Sequence, residues 1–273
     1  MYNSKLFNSF QFNNNGIKFH KYLMLISQEY KSLNSDLHQT GNFGKSGHRW
    51  VKYIEMVIDQ FQITSLVDYG AGQQTLKKNL AHLQNISITS YDPAISELSA
   101  PPAPAKLVTC TDVLEHIEPE YLDNVLDHLE SLTQQAAFFV IPTGPASKTL
   151  ADGRNAHLIQ KPLEWWLPKL LARFNLISLN NMTSDIVILL GKKNKAIELN
   201  EFIEKTVMDL LATDKINSVS FDGLSLNVFT KSRSWRNRFL PRLLSLIKLG
   251  KRTGVSEKIK IKQGVIRLVL VRF

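Results

Sequence analysis

Along "HRWVKYIEMVIDQF", residues 48–61, the apolar positions Trp50, Ile54, Val57, Ile58 and Phe61 share one face at the 3.6-residue period, which predicts an amphipathic helix. The pattern then changes. "SLVDYGAGQQTLKKNL", Ser65 to Leu80, runs a short apolar strand into two glycines and then into a helix. Further strands are read at "NISITSYDP", "AKLVTCTD" and "AAFFVIP". Between the last two, a helix from Pro119 aligns Leu122, Val125, Leu126, Leu129 and Leu132, with Pro119 suited to a first turn where its missing N–H costs nothing. A loop, "TGPASKTLADGRNAHLIQK", leads to a helix "PLEWWLPKLLARF" that Pro168 is expected to kink or interrupt. Two strands, "LISLNN" and "SDIVILLGKK", follow. Apolar strands alternating with helices predict a mostly parallel α/β sheet covered on both faces, and the short link between the last two adds one antiparallel strand.

One crossover is too short. Only "AISELSAPPAPA" separates "YDP" from the next strand, too Pro-rich and too brief for a helix–strand–helix connection, so one strand usual in such sheets is expected to be missing. Beyond Lys193 the rhythm changes again, with a helix "AIELNEFIEKTVMDLLAT", a hairpin turning at Asp222-Gly223 and another at Gln263-Gly264. The expected organisation is a poorly ordered leader over 1–23, a helical cap over 24–62, the main α/β domain over 63–195 and an α+β extension over 196–273.

Charge sharpens that division. From Lys231 onward thirteen Lys/Arg face one acid, Glu257, giving +12 of a total of +9, so residues 1–230 carry −3. The segment 232–252, "SRSWRNRFLPRLLSLIKLGKR", mixes Phe239, Leu240, Leu243 and Ile247 with Arg and Lys, a composition suited to an anionic membrane surface more than to tracking nucleic acid phosphates. A helix packed on the core with snorkelling charges is the plainer alternative. The single cysteine, Cys110, allows no intrachain disulfide and suits a reducing cytosol. No apolar run reaches the roughly 18 residues that span a bilayer. The expected location is cytoplasmic, with peripheral contact at the inner membrane face.

The chemistry centres on the glycine turn. Gly70 and Gly72 after the first strand let backbone approach a ligand, while the helix N-terminus offers free N–H groups. The three-glycine dinucleotide fingerprint is not met, because Gln74 stands in the third place. Asp68 at the first strand tip suits a cationic amine, and Asp92 at the second suits two ribose hydroxyls. An adenosine bearing a charged amino acid fits both.

The motifs "VDYGAG", "SYDP" and "LVTCTDVLEHIEPE" resemble those of the class I S-adenosylmethionine-dependent methyltransferases, over roughly residues 48–193. More narrowly, "GKSGHRW", "YDPAI" and "DGRNAHLIQKPLEWWLPKLL" look like a bacterial and phage subgroup. The resemblance implies a Rossmann-like sheet with S-adenosylmethionine as cofactor. It implies that Gly70 and Gly72 pass under the methionine moiety, that Asp92 holds the ribose, and that Cys110, Thr111, Asp112 and Val113 lie near the adenine or the sulfonium.

Methyl transfer to oxygen needs a base, and His116 and His157, each following a strand at the ligand edge, are the candidates. His48 and Arg49 in "SGHRW", with Arg154 and Asn155 beside His157, are candidate substrate contacts. Asp112, Glu115 and His116 form D-x-x-E-H, which resembles the E-x-x-E-H divalent-metal site of some small-RNA 2′-O-methyltransferases and ubiquinone-pathway enzymes; His157 would be a fourth ligand. The primary expectation is no metal. The expected acceptor is a hydroxylated small molecule or sugar, of a kind found in surface-glycan precursors, with RNA methylation and a non-catalytic scaffold of the same fold as alternatives.

Overall fold

The computed structural model describes residues 24–39 and 44–193, together with strands at 216–221, 225–230, 255–262 and 265–272. The leader, the helix expected over 196–213, the basic segment 232–252 and both hairpin turns lie outside the described residues.

The cap consists of helix α1 (Gln28–Gln39), a 3-10 turn at Ser46–Trp50 and helix α2 (Val51–Phe61). α2 forms as its periodicity predicts, burying Ile54, Val57 and Ile58. It ends where Gln62 takes the left-handed conformation at φ 51 and donates its N–H to Asp59 O at 3.4 Å, closing the last turn.

Strand β1 (Ser65–Tyr69) then enters the core, and after the glycine turn comes a helix of only five residues, α3 (Thr75–Asn79). Gln74, in the place of a third glycine, adopts the left-handed φ of 57 that glycine would take without strain. β2 (Ser87–Tyr91) is followed by a single 3-10 turn, Ser96–Leu98, before β3 (Ala105–Thr111). α4 (Leu122–Leu132) buries the five expected residues against the sheet. At about 2 kcal/mol each, that face contributes on the order of 10 kcal/mol before conformational entropy is counted.

β4 (Thr133–Pro142), α5 (Leu163–Leu171), β5 (Phe174–Asn181) and β6 (Asp185–Lys192) complete the main domain. α5 runs through Pro168 as one element, which corrects the expected interruption. Its neighbours Trp166, Leu167 and Leu170 are fully buried, and that anchoring outweighs the one lost backbone hydrogen bond.

Strands β7 (Ile216–Phe221), β8 (Ser225–Thr230), β9 (Val255–Lys262) and β10 (Val265–Arg272) follow. All ten strands form one sheet in the order β2-β1-β3-β4-β6-β5-β7-β8-β10-β9. β1 pairs parallel with β2 and β3, β3 parallel with β4, and β6 runs antiparallel to both β4 and β5. β2 pairs only with β1 among the described strands, so the strand missing from the short crossover is missing from the sheet. The described part of the extension continues this sheet, β7 pairing antiparallel with β5 at Ser178–Asn180.

Both faces are covered. Val67, Val108, Cys110, Phe139 and Ile141 pack with α4 and α5, while their neighbours Leu66, Leu107, Phe138 and Val140 pack with α2 and α3. The two-residue alternation therefore persists inside strands that are buried throughout.

Candidate active site

The chain leaves β1 toward β2 on one side and toward β3 on the other, and the crevice at such a reversal, outside the carboxyl ends of the strands, is where open α/β sheets take ligands. A cleft of about 520 Å³ lies there. Its wall includes Gly70 after β1, Asp92 after β2, Asp112, Val113, Glu115 and His116 after β3, His157 beyond β4, and Asp185 at the start of β6; the cap adds His38, Lys45, Ser46 and Arg49.

Gly70 has φ +74, and a Cβ there would overlap the Val113 side chain, so only glycine fits. The N–H groups of Gly70 and Ala71 both donate to Tyr91 O, at 2.8 and 3.0 Å, which ties the turn to the end of β2. Asp92 is fixed just beyond that point. Its Oδ2 accepts from Gly72 N and its Oδ1 from Ala94 N, each at 3.0 Å. Two amides hold the carboxylate while each oxygen keeps accepting capacity toward the cleft.

Gly72 itself is not part of the wall; the space its Cβ would fill holds the Gly44 backbone, with Gly44 O at 2.7 Å. Asp68 also lies outside the wall, 5% exposed, with the Thr109 hydroxyl donating to its Oδ1 at 3.2 Å. Burial pushes the Asp68 carboxyl up to about 7, opposed by that hydrogen bond and helped by the Asp92 charge. Cys110 and Thr111 are buried in the strand rather than on the wall, and burial drives the Cys110 thiol well up, far from a reactive thiolate. Asp112 and Val113 do reach the cleft. Asp112 takes a positive φ of 55, a strained position for a non-glycine residue; burial raises its carboxyl, opposed by the Ser46 hydroxyl and the Arg49 charge.

Three further side chains of the wall converge. His116 Nδ1 lies 2.7 Å from Ala156 O and His157 Nδ1 lies 2.6 Å from Gly144 O. A carbonyl only accepts, so each Nδ1 carries the proton and Nε2 is the basic nitrogen of the neutral ring. Both Nε2 atoms face Glu115 Oε1, at 3.7 and 3.8 Å. Glu115 is fully buried, no side chain among the described residues donates to either oxygen, and burial together with the nearby Asp112 raises its carboxyl well above the ordinary range. Burial and the neighbouring His157 push His116 down to about 4. One ligand atom from each of the three lies within 4.8 Å of the others.

The remaining candidates support rather than line the site. Asn155 accepts from Ala146 N and His157 N through Oδ1, at 2.9 and 3.0 Å, and so pins the loop that carries His157. Arg154 pairs with Asp152 at 2.6 Å and lies over the Tyr30 ring. His48 bonds Lys45 O at 2.7 Å on the exposed side, whereas its neighbour Arg49 reaches the wall. The wall also holds residues for which no site role was read. His38 and Ser46 sit in polar stretches without periodicity, while Asp185 was legible in principle, since a reversed strand starts at the edge where parallel strands end.

The order β2-β1-β3-β4-β6-β5 with β6 reversed, and a cleft at the reversal point, define a Rossmann-like, mostly parallel α/β sheet. No family model and no curated protein sequence matches the chain. Solved structures with similar backbones include the Burkholderia thailandensis 1,6-didemethyltoxoflavin N1-methyltransferase with S-adenosylhomocysteine, at 14% identity and TM-score 0.47, covering 63% of this chain and 92% of that one. Human N-acetylserotonin methyltransferase with S-adenosylmethionine follows at 14% and 0.40, covering 61% and 56%. An O-methyltransferase family protein from Burkholderia thailandensis is similar at 11% and 0.37, covering 55% and 59%. This chain thus spans little more than half the length of the latter two.

Proposed function

We propose that this protein transfers a methyl group from S-adenosylmethionine to a hydroxyl oxygen of a small molecule or sugar. The observation that carries the reading is Asp92, held by two backbone amides on the wall of a cleft that His116, His157 and Glu115 also line. A cleft of about 520 Å³ lies within the usual range of about 300–1,000 Å³ for small-molecule sites. The residues fit the cofactor: an anchored carboxylate suits a ribose diol, and the acidic wall of Asp112, Glu115 and Asp185 suits a sulfonium.

S-adenosylmethionine, when bound, supplies an electrophilic methyl group whose sulfur departs as a neutral thioether. The protein aligns the acceptor oxygen with that methyl, excludes water and receives the acceptor proton. We assign the proton to His157 Nε2, because the Gly144 carbonyl holds its Nδ1–H and so fixes the ring. His116, pushed down to about 4 by burial, is a poor base and orients the acceptor. Glu115 Oε1 lies 3.8 Å from His157 Nε2, where the imidazolium formed would favour ionisation of the otherwise raised carboxyl.

The buried Glu115 also favours a second reading, in which a divalent cation is held by Glu115, His116 and His157, the two rings offering Nε2 and the carboxyl giving up its proton to the cation. Such a cation would lower the pKa of a coordinated acceptor hydroxyl. Crystals soaked with S-adenosylhomocysteine and Mn²⁺ test both readings. The methyltransferase reading expects the nucleoside in this cleft and is overturned by its absence at saturating ligand; anomalous density among the three side chains selects the cation, and none selects His157 as base.

A further inference from the structure

The cap carries a second group into the nucleoside end of the cleft. His38, one residue before the end of α1, places Nε2 3.8 Å from Asp92 Oδ2, with the two side chains 13% and 8% exposed. That distance exceeds a direct hydrogen bond, yet an oxygen about 2.8 Å from each atom bridges it with room to spare. The pair therefore has the dimensions of a hydroxyl clamp. Asp92 accepts, and an imidazole Nε2 accepts or donates according to its tautomer.

The same part of the cap is bolted to the glycine turn. Gly44 O accepts from Gln73 N at 3.0 Å and Lys45 O accepts from the Thr75 hydroxyl at 3.2 Å. A Cβ on Gly44, whose φ is +71, would stand 2.9 Å from His38 Cε1 and 3.0 Å from Gly72 Cα. His38, Gly44, Gly72 and Asp92 thus form one packed chain of contacts, running from α1 through the strap to the ribose carboxylate.

We propose that His38 is the second half of the ribose clamp: one ribose hydroxyl bridges Asp92 Oδ2 and His38 Nε2, so nucleoside binding locks α1 and the 44–47 strap onto the glycine turn. This rests on the reading that the cleft takes an adenosine moiety. His38 is a binding residue of the cap, distant in sequence from every motif of the sheet.

The test is calorimetric titration of S-adenosylhomocysteine into wild type, His38→Ala and His38→Gln, with amide exchange of residues 44–47 followed in parallel. Loss of one hydrogen bond to a buried group is expected to weaken His38→Ala by about tenfold, while His38→Gln, which can still reach the hydroxyl, stays within about threefold of wild type. Ligand is expected to slow exchange at 44–47 in wild type and much less in His38→Ala. Wild-type affinity in a folded His38→Ala, or equal slowing of exchange in both, overturns the clamp while leaving the nucleoside reading intact. Failure of wild type to bind overturns that reading itself. Should His38→Ala not fold, His38→Gln still decides: affinity reduced tenfold or more refutes a bridged hydroxyl.

Discussion

Asp68 and Asp92 occupy the ends of adjacent strands, and two residues of register separate their fates. Tyr69 pairs with Tyr91, so Asp68 lies inside the ladder opposite Ser90 and Thr109, while Asp92 stands one step past the last pair. The sequence placed both acids at strand tips. It could not distinguish them, because alternation locates a strand without fixing which residue ends the hydrogen-bonded ladder. The consequence is a pH prediction. The folded state holds the Asp68 proton up to about 7, whereas the unfolded carboxyl loses it near 3.8, so this group's contribution to stability falls as pH rises from about 4 to 7. Asp68→Asn keeps the Thr109 hydrogen bond and has no proton to lose. Chemical denaturation is expected to show the variant gaining on wild type across that interval; a stability difference independent of pH would place the Asp68 carboxylate in a far more polar setting.

Among the elements, the glycine turn was legible as a motif, but only half of its reason was. Gly70 serves the close approach to Val113 at the cleft, whereas Gly72 is small because the strap of the cap rests on it. No local pattern announces a contact between Gly44 and Gly72, 28 residues apart in sequence. Gly72→Ala would set a Cβ 2.7 Å from Gly44 O and 2.8 Å from Gly44 Cα, backbone atoms that yield only if the strap moves. The expected cost is about 1–3 kcal/mol of stability together with faster amide exchange at 44–47. A variant that melts with wild type and keeps that protection would show the strap to be loosely held. Elements with strong periodicity, α2 and α4 above all, were read correctly, since burial of one face decides them. α5 differs because tertiary anchoring of its tryptophan and leucines overrides the proline.

For the molecule as a whole, the common direction of β1 to β5, the reversed β6 and the absent strand followed from alternation and link length. The mode of attachment of the extension did not, since neither hairpin carries a signal for the edge it joins. β7 pairs with β5, so the sheet that builds the cleft at one end continues unbroken into the basic C-terminal strands. The cap and the loops after β1, β2, β3 and β4 nonetheless all line one cleft, which Asp92 faces. The account turns on that carboxylate holding the ribose of an S-adenosyl ligand. The direct measurement is the affinity of S-adenosylmethionine for wild type and for Asp92→Ala by titration calorimetry, with folding of the variant verified by its melting curve. We predict binding to wild type and a loss of at least about a hundredfold in the variant, as expected when a carboxylate accepting two hydroxyl hydrogen bonds is removed; equal affinity for the two proteins would contradict it.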